Sequence, residues 1–257
     1  MQYSLALVTG ASSGIGQALC EILASKKISL IITGRDLIKL EETAANLRSQ
    51  VEVQIIQADL SIPKERQTIV EIIRMRGPDL IVNNAGLALY NDAVNFTTEQ
   101  QLAILEVDGM ALLEFTLEGA KAMKAARKKG TIMNISSAAS FFVFPYFSVY
   151  AATKSFVNKV SQSLDYELQK EGIRVLVACP GMVDTNFRVR SGGKPVESTK
   201  GLMTSKYAAE EIWKQITLLK PLHVFDWKYR LAVRARFFIP QWISIKILIN
   251  NIKNRCQ

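Results

Sequence analysis

"SLALVTGASSGIGQALCEILASKK", residues 4–27, passes from a short apolar run through a glycine-rich turn into apolar residues at helical spacing. Ala18, Leu19, Ile22 and Leu23 recur on one helical face, so the stretch predicts strand, glycine loop and helix. Without side chains at Gly10, Gly14 and Gly16, the backbone can turn tightly and approach a pyrophosphate. The free N–H groups and positive dipole end of the helix favour that charge. Ser12, Ser13 and Ile15 lie inside the same turn and are read as cofactor contacts. The spacing is G-x-x-x-G-x-G, not G-x-G-x-x-G, and by itself it also fits a purely structural strand-to-helix turn.

The alternation continues outward. "SLIIT", "VEVQIIQ", "DLIVN", "GTIMNIS" and "IRVLVAC" read as five more strands. "LIKLEETAANLRSQ", the stretch after Pro63, a long pattern from about Thr98 to Lys129, and Tyr150 to Glu171 read as helices. This order predicts an α/β fold, a doubly wound, Rossmann-like parallel sheet in a single domain, with ligands at the carboxyl ends of the strands. Residues 1–225 form the dinucleotide-binding and catalytic part, and residues 226–257 a basic, aromatic-rich C-terminal extension. Phe187 to Ser205 shows no clear periodicity and reads as a mobile lid.

A chain of 257 residues suits one large α/β domain, and 49% apolar with 21% charged residues places it among globular proteins. Cys20, Cys179 and Cys256 form no CxxC pair and read as plain thiols of a reducing compartment. The first residues lack the pattern of a secretory signal, so a cytoplasmic location is expected. His223, the only histidine, excludes a site with several histidines around zinc, and no metal is expected. No GxSxG elbow accompanies it, so it reads as structural.

The second strand ends in "IITGRD", with Gly34 and Arg35 where an NAD enzyme usually places an acid for the adenosine ribose. An arginine pairs with a 2′-phosphate, which favours NADP(H) over NAD(H); the alternative is a solvated charge at a helix start. Tyr150 and Lys154 stand one helical turn apart on the same face. A nearby ammonium favours the phenolate and lowers the tyrosine pKa, so Tyr150 can exchange a proton with a carbonyl or alcohol oxygen. Ser137, at the end of the fifth strand, can hydrogen-bond that oxygen. Y-x-x-x-K alone equally describes a surface tyrosine beside a solvated lysine.

With these residues the chain looks like a member of the short-chain dehydrogenase/reductase family over about residues 4 to 225. "TGASSGIG" resembles its cofactor loop, Asp59–Leu60 its adenine-side contact, and "NNAG" (Asn83 to Gly86) its motif after the fourth strand. "NISS" resembles its serine motif, "YAATK" its tyrosine–lysine pair, and "PGMVDT" (Pro180 to Thr185) its nicotinamide-side loop. The resemblance implies that Tyr150 is the general acid/base, that Lys154 binds the nicotinamide ribose and lowers the tyrosine pKa, and that Ser137 positions the substrate. It further implies cofactor contacts at Asn83, Ala85, Gly86, Pro180, Gly181, Val183 and Thr185. Asp108 stands where the family usually has an asparagine that helps hold a water of the proton relay. A carboxylate there would stabilise the Lys154 charge and oppose tyrosinate formation, raising the pH profile; the alternative is an ordinary helix residue.

The net charge of +9 is uneven: from Lys220 onward there are eight Lys or Arg against one acid, Asp226. The tail's apolar runs are far shorter than the ~20 residues of a membrane span. Three readings stay open: packing against the domain or a second subunit, lying on an anionic membrane surface, or contacting an acidic carrier of the substrate. Nucleic acid gains no motif support. Phe141, Phe142, Phe144, Pro145, Tyr146 and Phe147 between the serine and the tyrosine suggest an apolar substrate, or equally a core or subunit contact. The expected function is NADP(H)-linked interconversion of a carbonyl and a secondary alcohol by a homo-oligomer. The alternative is an NADP(H)-binding sensor with its catalytic residues idle.

Overall fold

Seven parallel strands build the main sheet of the computed structural model, which describes residues 1–195 and 201–253. They are β1 (Leu5–Thr9), β2 (Ser29–Gly34), β3 (Val53–Gln57), β4 (Leu80–Asn83), β5 (Gly130–Ile135), β6 (Ile173–Ala178) and β9 (Leu222–His223). A separate ribbon pairs β7 (Val183–Asp184) with β8 (Met203–Thr204). The sheet order is β3-β2-β1-β4-β5-β6-β9, so the direction of winding reverses between β1 and β4. That reversal opens a crevice at the carboxyl ends of the two strands.

Parallel neighbours need long crossovers, and helices supply them on both faces. On one side, α1 (Gly14–Ser25), α2 (Leu37–Leu47) and α8 (Ser205–Leu218) cover β1 and β2 through Leu19, Leu23, Leu40 and Ile212. On the other, α3 (Pro63–Arg76), α5 (Leu112–Ala125) and α6 (Ser148–Leu168) are applied to the sheet, with Ile69, Ile73 and Phe115 in the core. A side chain as completely buried as Phe115 contributes about 1.5–3 kcal/mol by leaving water. Asp36 caps α2 by accepting from the Lys39 N–H, and Pro63 begins α3 where its missing N–H costs nothing.

Three departures from the sequence expectations matter for the site. The long pattern from Thr98 is not one helix: α4 (Thr98–Leu105), opened by a Thr97–Gln100 capping box, passes into a π-helical stretch, Glu106–Ala111, before α5. β9 escaped the reading because two residues carry no period, although it forms an edge of the main sheet. The segment read as a lid contains α7 (Phe187–Arg190) and β8, while residues 196–200 lie outside the described residues. Beyond β9, α9 (Trp227–Ala235) and α10 (Gln241–Lys253) fold back over the cleft. Among the described residues, no helix is long and apolar enough to cross a membrane.

Candidate active site

A cleft of about 600 Å³ occupies the carboxyl ends of the strands, at the switch point. The glycine loop forms its floor: Gly10, Ser12, Ser13, Gly14 and Ile15 face the opening. Gly10 has a φ of +65°, and a Cβ there would lie 2.9 Å from the Ala85 Cα. A Cβ on Gly16 would run into the Gly10 carbonyl; Gly16 therefore lets α1 start directly beneath the loop and does not itself line the cleft. The loop after β4 is tied to β1, because Thr9 Oγ1 accepts from the N–H groups of Asn84 and Ala85, both at 2.9 Å. The two backbones are thereby held in contact, which leaves the outer face of the glycine loop and the start of α1 open to the cleft for a pyrophosphate.

Arg35, Asp59 and Leu60 line the β2–β3 side of the cleft. The Arg35 guanidinium is 62% exposed and stands 3.8 Å from the Asp59 carboxylate, a loose surface pair that leaves its donors available. Arg190 of α7 lines the same cleft, and burial together with the Arg35 charge holds its pKa below the usual value. Ala85, Gly86, Pro180, Gly181, Val183 and Thr185 also border the cleft. Asn83 does not: its amide is buried and donates to Asn134 Oδ1 at 2.8 Å, joining β4 to β5 inside the core. Asn83, read as a cofactor contact, is thus replaced along the cleft by the adjacent Asn84, whose amide donates to the carbonyls of Thr9 and Gly10. Alternation along an extended chain turns these two neighbours to opposite sides.

Ser137, Tyr150 and Lys154 meet in this cleft from the end of β5 and the first turns of α6. The Lys154 ammonium lies 5.6 Å from the centre of the Tyr150 ring and donates to the Ile135 carbonyl at 2.9 Å. Behind it, Asp108 is fully buried; Oδ2 stands 2.8 Å from Nζ, and Oδ1 accepts from the Leu87 N–H at 2.6 Å. The π-helical stretch carries Asp108, and Gly86 leaves room for its carboxylate.

Burial, followed by the Asp108 charge, pushes the Tyr150 pKa well above its ordinary value, with Ser137 acting in the opposite direction. The Lys154 ammonium, expected to lower that pKa, has the Asp108 carboxylate 2.8 Å away, which meets part of its charge. Burial also raises the Asp108 pKa, and the Lys154 charge opposes that rise.

Aromatic rings make the remaining wall. Tyr90 stacks on Phe147 at 4.2 Å, and Phe147 reaches the Tyr150 ring at 4.4 Å. Phe142 and Phe144 line the cleft, while Phe141 sits under the Arg236 guanidinium. The sequence reading missed Tyr90 and Phe187 as wall residues; of its three readings of the tail, packing against the domain is the one this structure shows, with tail residues lining the cleft. The Tyr229 ring lies against Gly181 and its hydroxyl accepts from the Met182 N–H at 3.2 Å, while Ile239, Ile247 and Ile252 close the outer side. A count of aromatics signals such a tail, but its contact with Gly181 is legible only in three dimensions. His223 is remote from this chemistry, with Nε2 2.9 Å from Glu211 Oε2 and Nδ1 2.9 Å from Lys220 Nζ. Cys179 is buried, which pushes its thiol up to about 12; Cys256 lies outside the described residues.

The fold and the cleft are those of the nucleotide-binding α/β class. The sequence matches the short chain dehydrogenase family over residues 4–194. It is 34% identical over 228 residues to an uncharacterized oxidoreductase of Staphylococcus saprophyticus, covering 87% of this chain and 94% of that one. A short-chain dehydrogenase from Sphingobium yanoikuyae, solved with NADPH, superposes with a TM-score of 0.84 at 29% identity, over 91% of each chain. A short-chain dehydrogenase/reductase from Burkholderia phymatum, solved with NAD, shares the fold with a TM-score of 0.82 at 21% identity, over 91% of this chain and 93% of that one. The chain belongs to the short-chain dehydrogenase family and is an oxidoreductase. Its glycine cradle, the cation at Arg35 and the cleft itself fit a nicotinamide dinucleotide.

Gly16→Ala should displace the loop, because the added methyl group meets the Gly10 backbone as well as the Asn84 side-chain amide. NADPH binding, followed by fluorescence titration, is expected to weaken at least about tenfold, and thermal unfolding to move to lower temperature.

Proposed function

We propose that the protein interconverts an apolar carbonyl compound and its secondary alcohol with NADP(H), using Tyr150 as general acid and base. The observation that carries this reading is the convergence of Ser137, Tyr150 and Lys154 in the cleft that also holds the glycine cradle. When bound there, NADP(H) supplies or takes up the hydride.

Tyr150 donates its hydroxyl proton to the carbonyl oxygen in reduction and takes the alcohol proton in oxidation. Ser137 donates a hydrogen bond to the same oxygen, a fixed donor at the point where negative charge develops. Lys154 supplies positive charge behind the tyrosine, and Asp108 fixes its position through the 2.8 Å contact. The negative charge of Asp108 keeps Tyr150 protonated to higher pH, which suits the acid role of reduction.

Arg35 and Arg190 border the side of the cleft where a 2′-phosphate would bring two negative charges, and no carboxylate replaces Gly34 at the end of β2. The NADPH complex of the Sphingobium relative points the same way. Phe142, Phe144, Phe147 and Tyr90 make the substrate side apolar. Leu102, Leu105, Met110 and Leu117, exposed along α4 to α5, support a homo-oligomer.

Two experiments test the reading. Oxidation of NADPH over a panel of aldehydes, ketones and 3-oxoacyl thioesters should proceed and fall about 10²- to 10⁴-fold in Tyr150→Phe. NADPH binding with no turnover of any compound would sink it in favour of a sensor. Arg35→Ala should raise KM for NADPH roughly tenfold and leave KM for NADH nearly unchanged, since a charge-assisted contact is lost only to the phosphate. Equal effects on both cofactors would refute the NADP(H) preference.

Asp108→Asn removes a negative charge that holds the Tyr150 pKa up, so that pKa falls. In oxidation, where tyrosinate is the base, the rise of rate with pH moves to lower pH. In reduction, where the phenol is the acid, the loss of rate begins at lower pH. An unchanged rate and profile would remove any role for the Asp108 side chain.

A further inference from the structure

We propose that the bend between the two C-terminal helices docks this protein on an anionic lipid bilayer, with the mouth of the cleft facing the acyl chains. The helices α9 and α10 turn one face inward, where Tyr229 and Ile252 pack on the domain. The connection between them points away from it: Phe237 is 75% exposed, Phe238 88% and Trp242 68%. Large rings held in water at the tip of a helical pair add nothing to the core, and an aromatic tip is what a headgroup region accommodates.

Charge names the occupant. Arg234 and Lys246 are exposed beside this tip, Arg236 lies at its base, and no Asp or Glu follows Asp226. A two-fold contact of the tip with its own copy would set these cations against themselves, and residues 227–253 bring no acid to meet them. An anionic membrane surface meets the same patch with opposite charge. The Arg236 guanidinium lies over both Phe141 and Phe237, at 5.1 and 4.3 Å from their ring centres, and ties the tip to the loop that flanks the cleft.

The tip also adjoins the cleft. Ile239 and Ile247 line the outer wall and are themselves 38% and 52% exposed. An apolar carbonyl compound dissolved in the bilayer would meet apolar protein surface on its way to Tyr150. This consequence rests on the proposed reductase reading; the docking itself does not.

The test is co-sedimentation of the full chain with vesicles of phosphatidylcholine and phosphatidylglycerol, beside vesicles of phosphatidylcholine alone. The protein should pellet with the anionic vesicles, and its partitioning should fall roughly tenfold in raised salt or in the variant Phe237→Ser, Phe238→Ser, Trp242→Ser. That variant should keep wild-type NADPH turnover of a water-soluble ketone, because none of its three positions lines the cleft. Equal sedimentation with and without vesicles would overturn the proposal, as would undiminished binding by the variant. An oligomer that the variant dissolves, with no binding to vesicles, would make this face a contact between copies and also overturn it. Vesicle binding by a protein that turns over no carbonyl compound would sustain the docking and sink only the reductase reading.

Discussion

The ion pair between Lys154 and Asp108 ties the catalytic end of the molecule together. An ammonium buried to this degree is costly by several kcal/mol unless an opposite charge and hydrogen-bond acceptors surround it. Asp108 Oδ2 at 2.8 Å and the Ile135 carbonyl at 2.9 Å meet that requirement. The second oxygen of Asp108 holds the Leu87 N–H, so one carboxylate links the π-helical stretch, α6 and the loop after β4, while the lysine reaches the end of β5. Four segments distant in sequence are set around a single point, and Tyr150 is positioned by the result.

This arrangement has an electrostatic consequence for the site. A lone lysine beside a phenol would promote the phenolate, whereas a lysine already paired with a buried carboxylate does so far less. Burial, against Phe147 and Phe187 among others, is the larger cause of the raised Tyr150 pKa, and the Asp108 charge acts in the same direction. The Tyr150 hydroxyl is thus held in its protonated form in this structure, with Ser137 acting in the opposite direction. The ion pair serves position and charge together, and neither can be altered alone.

The C-terminal helices show how an extension becomes part of a site. The Tyr229 ring takes the space that the missing side chain of Gly181 leaves, and its hydroxyl accepts the Met182 N–H. The loop after β6 is therefore braced by a residue nearly fifty positions later in the chain. Arg236, Ile239 and Ile247 complete the wall opposite the glycine loop. The division at residue 225 follows a change in composition, but packing runs across it without a break.

Much of the fold was legible from local pattern. Alternating apolar strands and amphipathic helices predicted the doubly wound parallel sheet because periodicity reports which face of each element must leave water. The glycine loop, Arg35 at the end of β2, and the Tyr150–Lys154 pair could be read for the same reason: each depends on residues within a few positions of one another. What the sequence alone left undecided rests on contacts between distant segments. One widened helical turn aims Asp108 at Lys154, yet a shift of one residue leaves almost no trace in an apolar pattern. β9 is a strand only because β6 offers it a partner, and Asn84 rather than Asn83 faces the cleft because of how the chain leaves β4. Sequence determined the elements and the chemistry each can carry; tertiary structure decided which charges meet, because the field of a buried group depends on its neighbours in space.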